Sequence, residues 1–280
     1  MTDVSKLRNR YQVAVMAPAD WPHLPIFLEI AELIQHSLIS VGHVAPLKIN
    51  RLMPFGTNIV LGSFMMDDPK RLSTGRCIIY QLEQLSERDE RFQTEWVTHL
   101  RNAHLIWDYS PQNIEALKAH GITNVRHVPF GYHPAMRKVP KSSVKDIDVL
   151  FYGAVNERRR AIMRELQEKK VQVGLAFGTY GALRDELIAR SKIVLNIHLH
   201  DAKIFEQSRV SYLLNNDAFV ISEDAPDVPY QSIVTAPYDE LVATCLRYLE
   251  QPEERDRIAR ESAEHFRSMP MQDFIVRGLE

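Results

Sequence analysis

The chain has 280 residues, with 34 Lys and Arg against 36 Asp and Glu for a net charge of −2. That balance gives no overall attraction to a nucleic-acid backbone, and two cysteines cannot build a disulfide framework or a thiolate metal site. Eleven glycines fall below the usual share of about 7%, which excludes collagen-like and Gly/Ser-rich disordered chains, while 45% hydrophobic residues suit a packed core.

The opening MTDVSKLRNRY lacks the apolar stretch of a signal peptide, and no apolar run approaches a membrane span of about 20 residues. A cytoplasmic protein without an integral membrane segment or nucleic-acid partner is the expectation. The first strand is expected at 12–18 and ends in a loop carrying Asp20, Trp21 and His23. Apolar residues at three- and four-residue spacing predict a helix over 25–41. Strands are expected at 45–50, 58–64 and 76–82, and the last leads into Glu83. A helix at about 90–102 precedes a strand at 104–110 that carries Asp108 and Tyr109. Ser110 and Pro111 then supply N-cap and first-turn chemistry for a helix closed by Gly121. A strand follows at 124–130.

Residues 134–146 are polar, basic and Pro-containing, which predicts a linker between domains at 1–133 and 147–280, with Gly131 and Tyr132 at its hinge entry. Beyond it the alternation resumes, with strands at 147–153, 171–177, 192–199 and 217–223 and helices at 157–170, 181–190 and 204–215. The tail reads as two helices separated near Pro252. Such alternation predicts two α/β domains with parallel sheets. Ligands of these folds bind at the carboxyl ends of the strands.

Four stretches of the second half carry chemistry there. Gly153 ends an apolar strand four residues before a helix, with Asn156, Arg158 and Arg159 following. Helix-N-terminal amides and guanidinium groups favour an anion, although the same spacing suits an ordinary turn with a solvated basic face. Asn196, His198 and His200 end the next strand, and the two histidines share one face without an obvious third metal ligand. Phe205, Glu206 and Arg209 follow, with Glu206 expected in the first helical turn, able to accept from two sugar hydroxyls or to pair with Arg209. Ser222 and Glu223 end the fourth stretch.

Taken together, DVLFYGAVNERRR, KIVLNIH, FEQSR and VISE resemble the nucleotide-sugar-binding domain of GT-B glycosyltransferases. The likeness is to the family-1-like bacterial group related to spore-maturation glycosyltransferases, and YQLEQL, WDYSPQNIEAL and VPFGYHP extend it into the first half. The resemblance implies two Rossmann-like domains with a cleft between them. It implies transfer of a sugar from a nucleotide-diphosphate sugar to a glycan or other hydroxyl acceptor, without a metal or another cofactor. Arg158 or Arg159 would meet the diphosphate, and Glu206 would hold ribose or sugar hydroxyls. The second glutamate of the retaining signature is absent, because Leu214 stands eight residues after Glu206, so the stereochemical outcome stays open. A base for the acceptor hydroxyl would be Glu83, Asp20 or Asp108, with His23 less favoured, and Trp21 and Tyr109 are candidates for stacking on a sugar ring. A non-catalytic two-lobed ligand-binding protein and a nucleotide-sugar epimerase are the alternatives. The length also leaves room for the chain to be one module of a larger protein.

Overall fold

A computed structural model describes residues 10–73, 75–85, 97–199 and 203–280. Two parallel α/β units form, one running to Phe130 and taking back 271–280, the other spanning Gly131–Pro270.

In the first unit the chain runs β1 (Tyr11–Val15), α1 (Leu24–Ser40), β2 (Leu47–Ile49), β3 (Thr57–Leu61) and β4 (Arg76–Gln81). It continues through α2 (Val97–Arg101), β5 (Leu105–Asp108), α3 (Pro111–Ala119) and β6 (Val125–His127). The sheet order is β2-β1-β3-β4-β5-β6, every pairing parallel. β1 and β3 are buried along their whole length, which is why they read as continuous apolar runs and not as alternating ones. β3 stops at Gly62, whose φ of 70° turns the chain into a 3-10 segment where the sequence pattern continues the strand. Ser110 caps α3 as expected, its Oγ accepting from Asn113 N at 3.3 Å, with Pro111 in the first turn. The expected helix at about 90–102 is described only as α2, its earlier residues lying outside the described ones.

The second unit contains β7 (Ile147–Tyr152), α4 (Glu157–Glu168), β8 (Val173–Ala176), α5 (Gly181–Arg190), β9 (Ser191–Asn196) and α6 (Gln207–Asn215). β10 (Val220–Glu223), β11 (Val234–Ala236), α7 (Leu241–Leu249) and α8 (Pro252–Arg267) complete it. Its parallel sheet has the order β11-β10-β9-β7-β8. Val149 and Phe151, Ile193 and Leu195, and Ile221 pack with Leu166 of α4 and Leu241 of α7 in the core. β11 escapes periodicity because three residues make less than two repeats of a strand pattern.

The segment 134–146 is not a free linker. His133 N donates to Asn215 Oδ1 at 3.0 Å, and Lys138 N and Val139 N donate to Asn216 Oδ1 at 2.8 and 3.0 Å. Arg137 pairs with Asp217 at 2.6 Å, so the C-terminal end of α6 binds this stretch into the second unit. The boundary lies at Gly131, with Tyr132 N donating to Met269 O within the second unit.

A third tail helix, α9 (Met271–Leu279), follows Pro270 and belongs to the first unit. Its Gly278 is a close-approach glycine: Trp107 Nε1 and Arg126 Nη1 both donate to its carbonyl at 2.9 Å. A Cβ there would lie 2.8 Å from Val128 Cγ2 and 3.0 Å from Trp107 Cε2. Helix propensity alone favours alanine over glycine by about 1 kcal/mol, whereas overpacking costs about 1–3 kcal/mol. Gly278→Ala should therefore destabilise, by roughly 1 kcal/mol net, as read from urea denaturation; a more stable variant would show that the contact yields freely.

Candidate functional site

The order of the second sheet fixes where a site can form. From β7 the chain goes to β8 on one side, and from β9 to β10 on the other, while β7 and β9 are paired at Val149 with Ile193 and Leu150 with Val194. Connections leaving in opposite directions open a crevice at the carboxyl ends of β7 and β9. Gly153, Asn156, Arg158, Arg159, Asn196, His198, Glu206 and Arg209 all come to this place.

Gly153 has a φ of 123°, and a Cβ on it would lie 2.6 Å from Arg209 Nη2. The backbone conformation requires glycine here, whereas the tip of the flexible Arg209 side chain could move aside from a Cβ. Asn156 caps α4, its Oδ1 accepting from Arg159 N at 3.0 Å and its Nδ2 donating to Leu199 O at 3.1 Å. It thereby ties the start of α4 to the end of β9.

The two adjacent arginines are already committed. Arg158 grips the buried Glu223 carboxylate with both Nη atoms, one at 2.6 Å, and lies 3.9 Å over the Tyr238 ring. Arg159 is 2% exposed. Its Nε donates to Ile197 O at 2.9 Å, its Nη1 to Ala154 O at 2.8 Å, and its Nη2 to Ile197 O and, at 3.5 Å, to Glu206 Oε1. Burial, and then the neighbouring Arg209, bring its pKa down to about 10, so it stays charged at neutral pH. Neither arginine matches the expectation of a side chain waiting for phosphate.

Arg209 does. It is half-buried, donates from Nη1 to Asn196 Oδ1 at 2.7 Å, and among the described residues has no carboxylate in ion-pair range. Its guanidinium lies 5.5 Å from the Tyr152 ring centre, over the Gly153 turn. Glu206 sits at the N-cap position of α6, one residue before the first turn in which the sequence places it. Its carboxylate accepts from Asn196 Nδ2 at 3.1 Å and lies 2.8 Å from His198 Nδ1. Burial works to raise its pKa, but His198, Arg209 and Asn196 outweigh this and hold it below the usual carboxylate range. Phe205 is buried and packs edge-on to Tyr230 at 5.9 Å, behind the site and not in it. His200 lies outside the described residues.

The first unit has its own switch point, at the carboxyl ends of β1 and β3. Asp20 is exposed there, and half-buried Trp21 packs against Phe27 at 5.2 Å and His23 at 5.7 Å. Gly62 was not singled out in the sequence, yet it lies against the Met16 carbonyl so closely that no side chain fits. The signal that marks it is a glycine directly after the apolar run 59–61. Glu83 is half-buried, its N–H donating to Gln81 Oε1 at 2.9 Å and its carbonyl accepting from Gln81 Nε2 at 2.6 Å and Asn113 Nδ2 at 2.9 Å.

Asp108 and Tyr109 are corrected by burial. Asp108 is fully buried, accepts from Ser110 N at 2.8 Å and Asn113 Nδ2 at 3.0 Å, and burial pushes its pKa well above the carboxylate range. It braces the loop that carries Glu83 and is not placed to meet a substrate. Tyr109 is 4% exposed and packs on Phe130 at 5.9 Å, so it offers no face for a sugar. A cavity of about 410 Å³ in this unit, lined by Tyr11, Arg76, His104 and Arg126 among others, opens at the amino ends of the strands and contains none of the expected residues. Among the described residues no three His, Cys, Asp or Glu side chains are grouped to hold a metal, and no helix is long and apolar enough to cross a membrane.

No protein-family profile matches the sequence, so the likeness to the spore-maturation group rests on the motifs alone. Two uncharacterized proteins of Acanthamoeba polyphaga mimivirus are similar, at 31% identity over 156 residues and 29% over 180. These matches cover 51% and 60% of this chain, but 50% and 20% of those proteins, so the chain spans half or less of each. Among solved structures, an alpha-glucosyltransferase in complex with UDP and a 13-mer DNA matches with a TM-score of 0.68 at 10% identity, over 97% of this chain and 98% of that one. T4 phage beta-glucosyltransferase matches with a TM-score of 0.60 at 12% identity, over 97% and 99%. AviGT4, a glycosyltransferase involved in avilamycin A biosynthesis, matches with a TM-score of 0.56 at 14% identity, over 95% and 96%. The chain has the GT-B fold. One of these neighbours was solved on DNA, so the fold gives no support to the expectation of no nucleic-acid partner.

The site separates a structural arginine from an available one. Replacing Arg159 by methionine strands the Ile197 and Ala154 carbonyls and the Glu206 carboxylate, which should lower unfolding free energy by roughly 3 kcal/mol. Arg209→Ala should change it by less than about 1 kcal/mol. Urea denaturation of both variants checks the contrast, and equal losses would contradict it.

Proposed function

We propose that this protein transfers a sugar from a nucleotide-diphosphate sugar to a hydroxyl-bearing acceptor. The observation that carries the reading is the Gly153 turn, kept free of a side chain beneath the Arg209 guanidinium and directly ahead of the α4 N-terminus. Backbone amides at a helix start and a guanidinium without a carboxylate partner receive an anion well. The diphosphate is bound by this turn and by Arg209, while Arg158 and Arg159 hold the frame. Glu206 accepts hydroxyls of the ribose or of the donor sugar.

In the transfer, the bond between the anomeric carbon and the β-phosphate oxygen breaks, and the nucleoside diphosphate leaves with the electron pair. The acceptor oxygen bonds to that carbon and gives up its proton. Glu83 takes the proton, its position fixed through both main-chain groups by Gln81 and Asn113. Charge developing on the leaving diphosphate meets Arg209 and the helix amides, so no divalent cation is required. The likeness of nearly the whole chain to a glucosyltransferase solved with UDP supports this reading.

Calorimetry against UDP- and GDP-linked sugars tests donor binding. Arg209→Ala and Gly153→Ala should each weaken it by roughly 10–100-fold, the worth of a hydrogen bond to a charged group; unchanged affinity in both would remove the site. Glu83→Gln should cut acceptor-dependent release of nucleoside diphosphate by about 100-fold or more at unchanged donor affinity. Release without any acceptor, or full turnover in Glu83→Gln, goes against transfer by this base. Turnover should persist with a chelator present, and loss restored by added divalent ion would overturn the metal-free mechanism.

A further inference from the structure

His198 is 1% exposed, and both of its ring nitrogens face acceptors. Nε2 lies 3.0 Å from the Asp224 carbonyl. Nδ1 lies 2.8 Å from Glu206 Oε2, off the line of a straight hydrogen bond. A neutral imidazole carries one N–H. With that proton on Nε2, the Nδ1 lone pair would be pressed against a carboxylate oxygen; with it on Nδ1, the Asp224 carbonyl would lose its partner. Protonating Glu206 instead is disfavoured, because Asn196 Nδ2 and Arg159 Nη2 both donate to that carboxylate.

We propose that His198 is a positioning residue held as an imidazolium, which fixes the Glu206 carboxylate and completes the positive charge that receives the donor diphosphate. The proposal rests on the donor-site reading above. The groups around the ring come from every side of the crevice. α4 contributes Arg158 and Arg159, the start of α6 contributes Glu206 and Arg209, the end of β10 contributes Glu223 and the Asp224 carbonyl, and Lys203 lies 3.8 Å from Glu223. His198 N also donates to Glu223 Oε2 at 3.1 Å, so the ring is anchored at both ends. Glu223 is matched by Arg158, and Glu206 by Arg159 together with the imidazolium. Deprotonating the ring leaves Glu206 with a repelling lone pair and takes one positive charge from the site. Burial works to depress the imidazole pKa, but Glu206 and then Glu223 outweigh it and raise it above its usual value. The positioning therefore requires an ionised Glu206 and a charged ring, and it is lost as pH rises through the raised imidazole value.

The test uses the full chain labelled with 15N-histidine, with His198→Gln to assign the resonance by its absence. Imidazole nitrogen shifts in the wild type should show both nitrogens protonated at pH 7.0, with the titration midpoint lowered by about one pH unit or more in Glu206→Gln. A neutral ring at pH 7.0, or the same midpoint in both proteins, overturns the proposal without needing a donor. Calorimetry with UDP-glucose and GDP-mannose, whose diphosphates do not titrate between pH 6.5 and about 9, supplies the second arm. Wild-type affinity for whichever binds should fall about 10-fold across that range, while His198→Gln binds more weakly and without the slope. His198→Asn serves as the second variant if the first fails to fold. A wild-type affinity and slope in either variant also overturns the proposal. A protonated ring that responds to Glu206→Gln, in a protein that binds neither sugar nucleotide, sustains the imidazolium and counts against the donor-site reading instead.

Discussion

A buried guanidinium organises the second unit. Arg159 reaches from the first turn of α4 to main-chain oxygens after β7 and β9 and to the carboxylate at the start of α6. Those loops are distant in sequence and have no ladder of hydrogen bonds to join them. One planar group with five donors in a fixed fork can satisfy several such acceptors at once, where a lysine could not. Taking the cation out of water is costly, and the compensation is that Ile197, Ala154 and Glu206 lose their own unmet hydrogen bonds. The site is held from beneath by a residue that itself stays out of reach of a ligand.

Around that anchor, sheet topology decides where the chemistry collects. Because the connections leaving the parallel strands β7 and β9 go to opposite sides, a crevice opens that neither strand would make by itself, and the loops leaving both converge on it. Gly153 is required because the turn after β7 takes a φ of 123°. Gly62 does the corresponding work in the first unit, turning the chain against the Met16 carbonyl at the end of β3. The scarcity of glycine thus has a local meaning: the turns at two switch points each use a single glycine.

Strand and helix alternation was legible because buried parallel strands are continuous apolar runs, and each helix repeats its apolar face every three or four residues. The residues of the second unit's crevice were legible as a set, since each lies at or soon after the end of such a run. Their partners were not. Arg158 pairs with Glu223, 65 residues away, and Arg159 with Ile197, 38 residues away, and no local pattern encodes distances of that kind. The same blindness misplaced Asp108, whose sequence context is that of an ordinary residue before a helix and whose burial comes from the strands around it. Prolines and charges made 134–146 look like a linker, whereas Asn215, Asn216 and Asp217 bind it from the far end of α6. Pro270 is a break that the composition of the tail concealed, because both sides of it are helical.

The electrostatics of the crevice follow from which charges are cancelled internally. Glu223 is buried and neutralises Arg158, and Glu206 neutralises Arg159, so these four groups fix geometry with little net field. Beyond these pairs lie Arg209 over the Gly153 turn and the imidazolium proposed for His198, which shares Glu206 with Arg159. With Lys203 also near Glu223, positive groups outnumber the two carboxylates where the fold opens its crevice, as suits an anionic ligand. The ion pairs hold the frame of the site, although Arg209 and Arg158 lie near enough to Arg159 to help depress its pKa. The same arrangement lets binding depend on groups that contribute little to stability, so the residues that hold the frame and those that meet the ligand can be told apart by measurement.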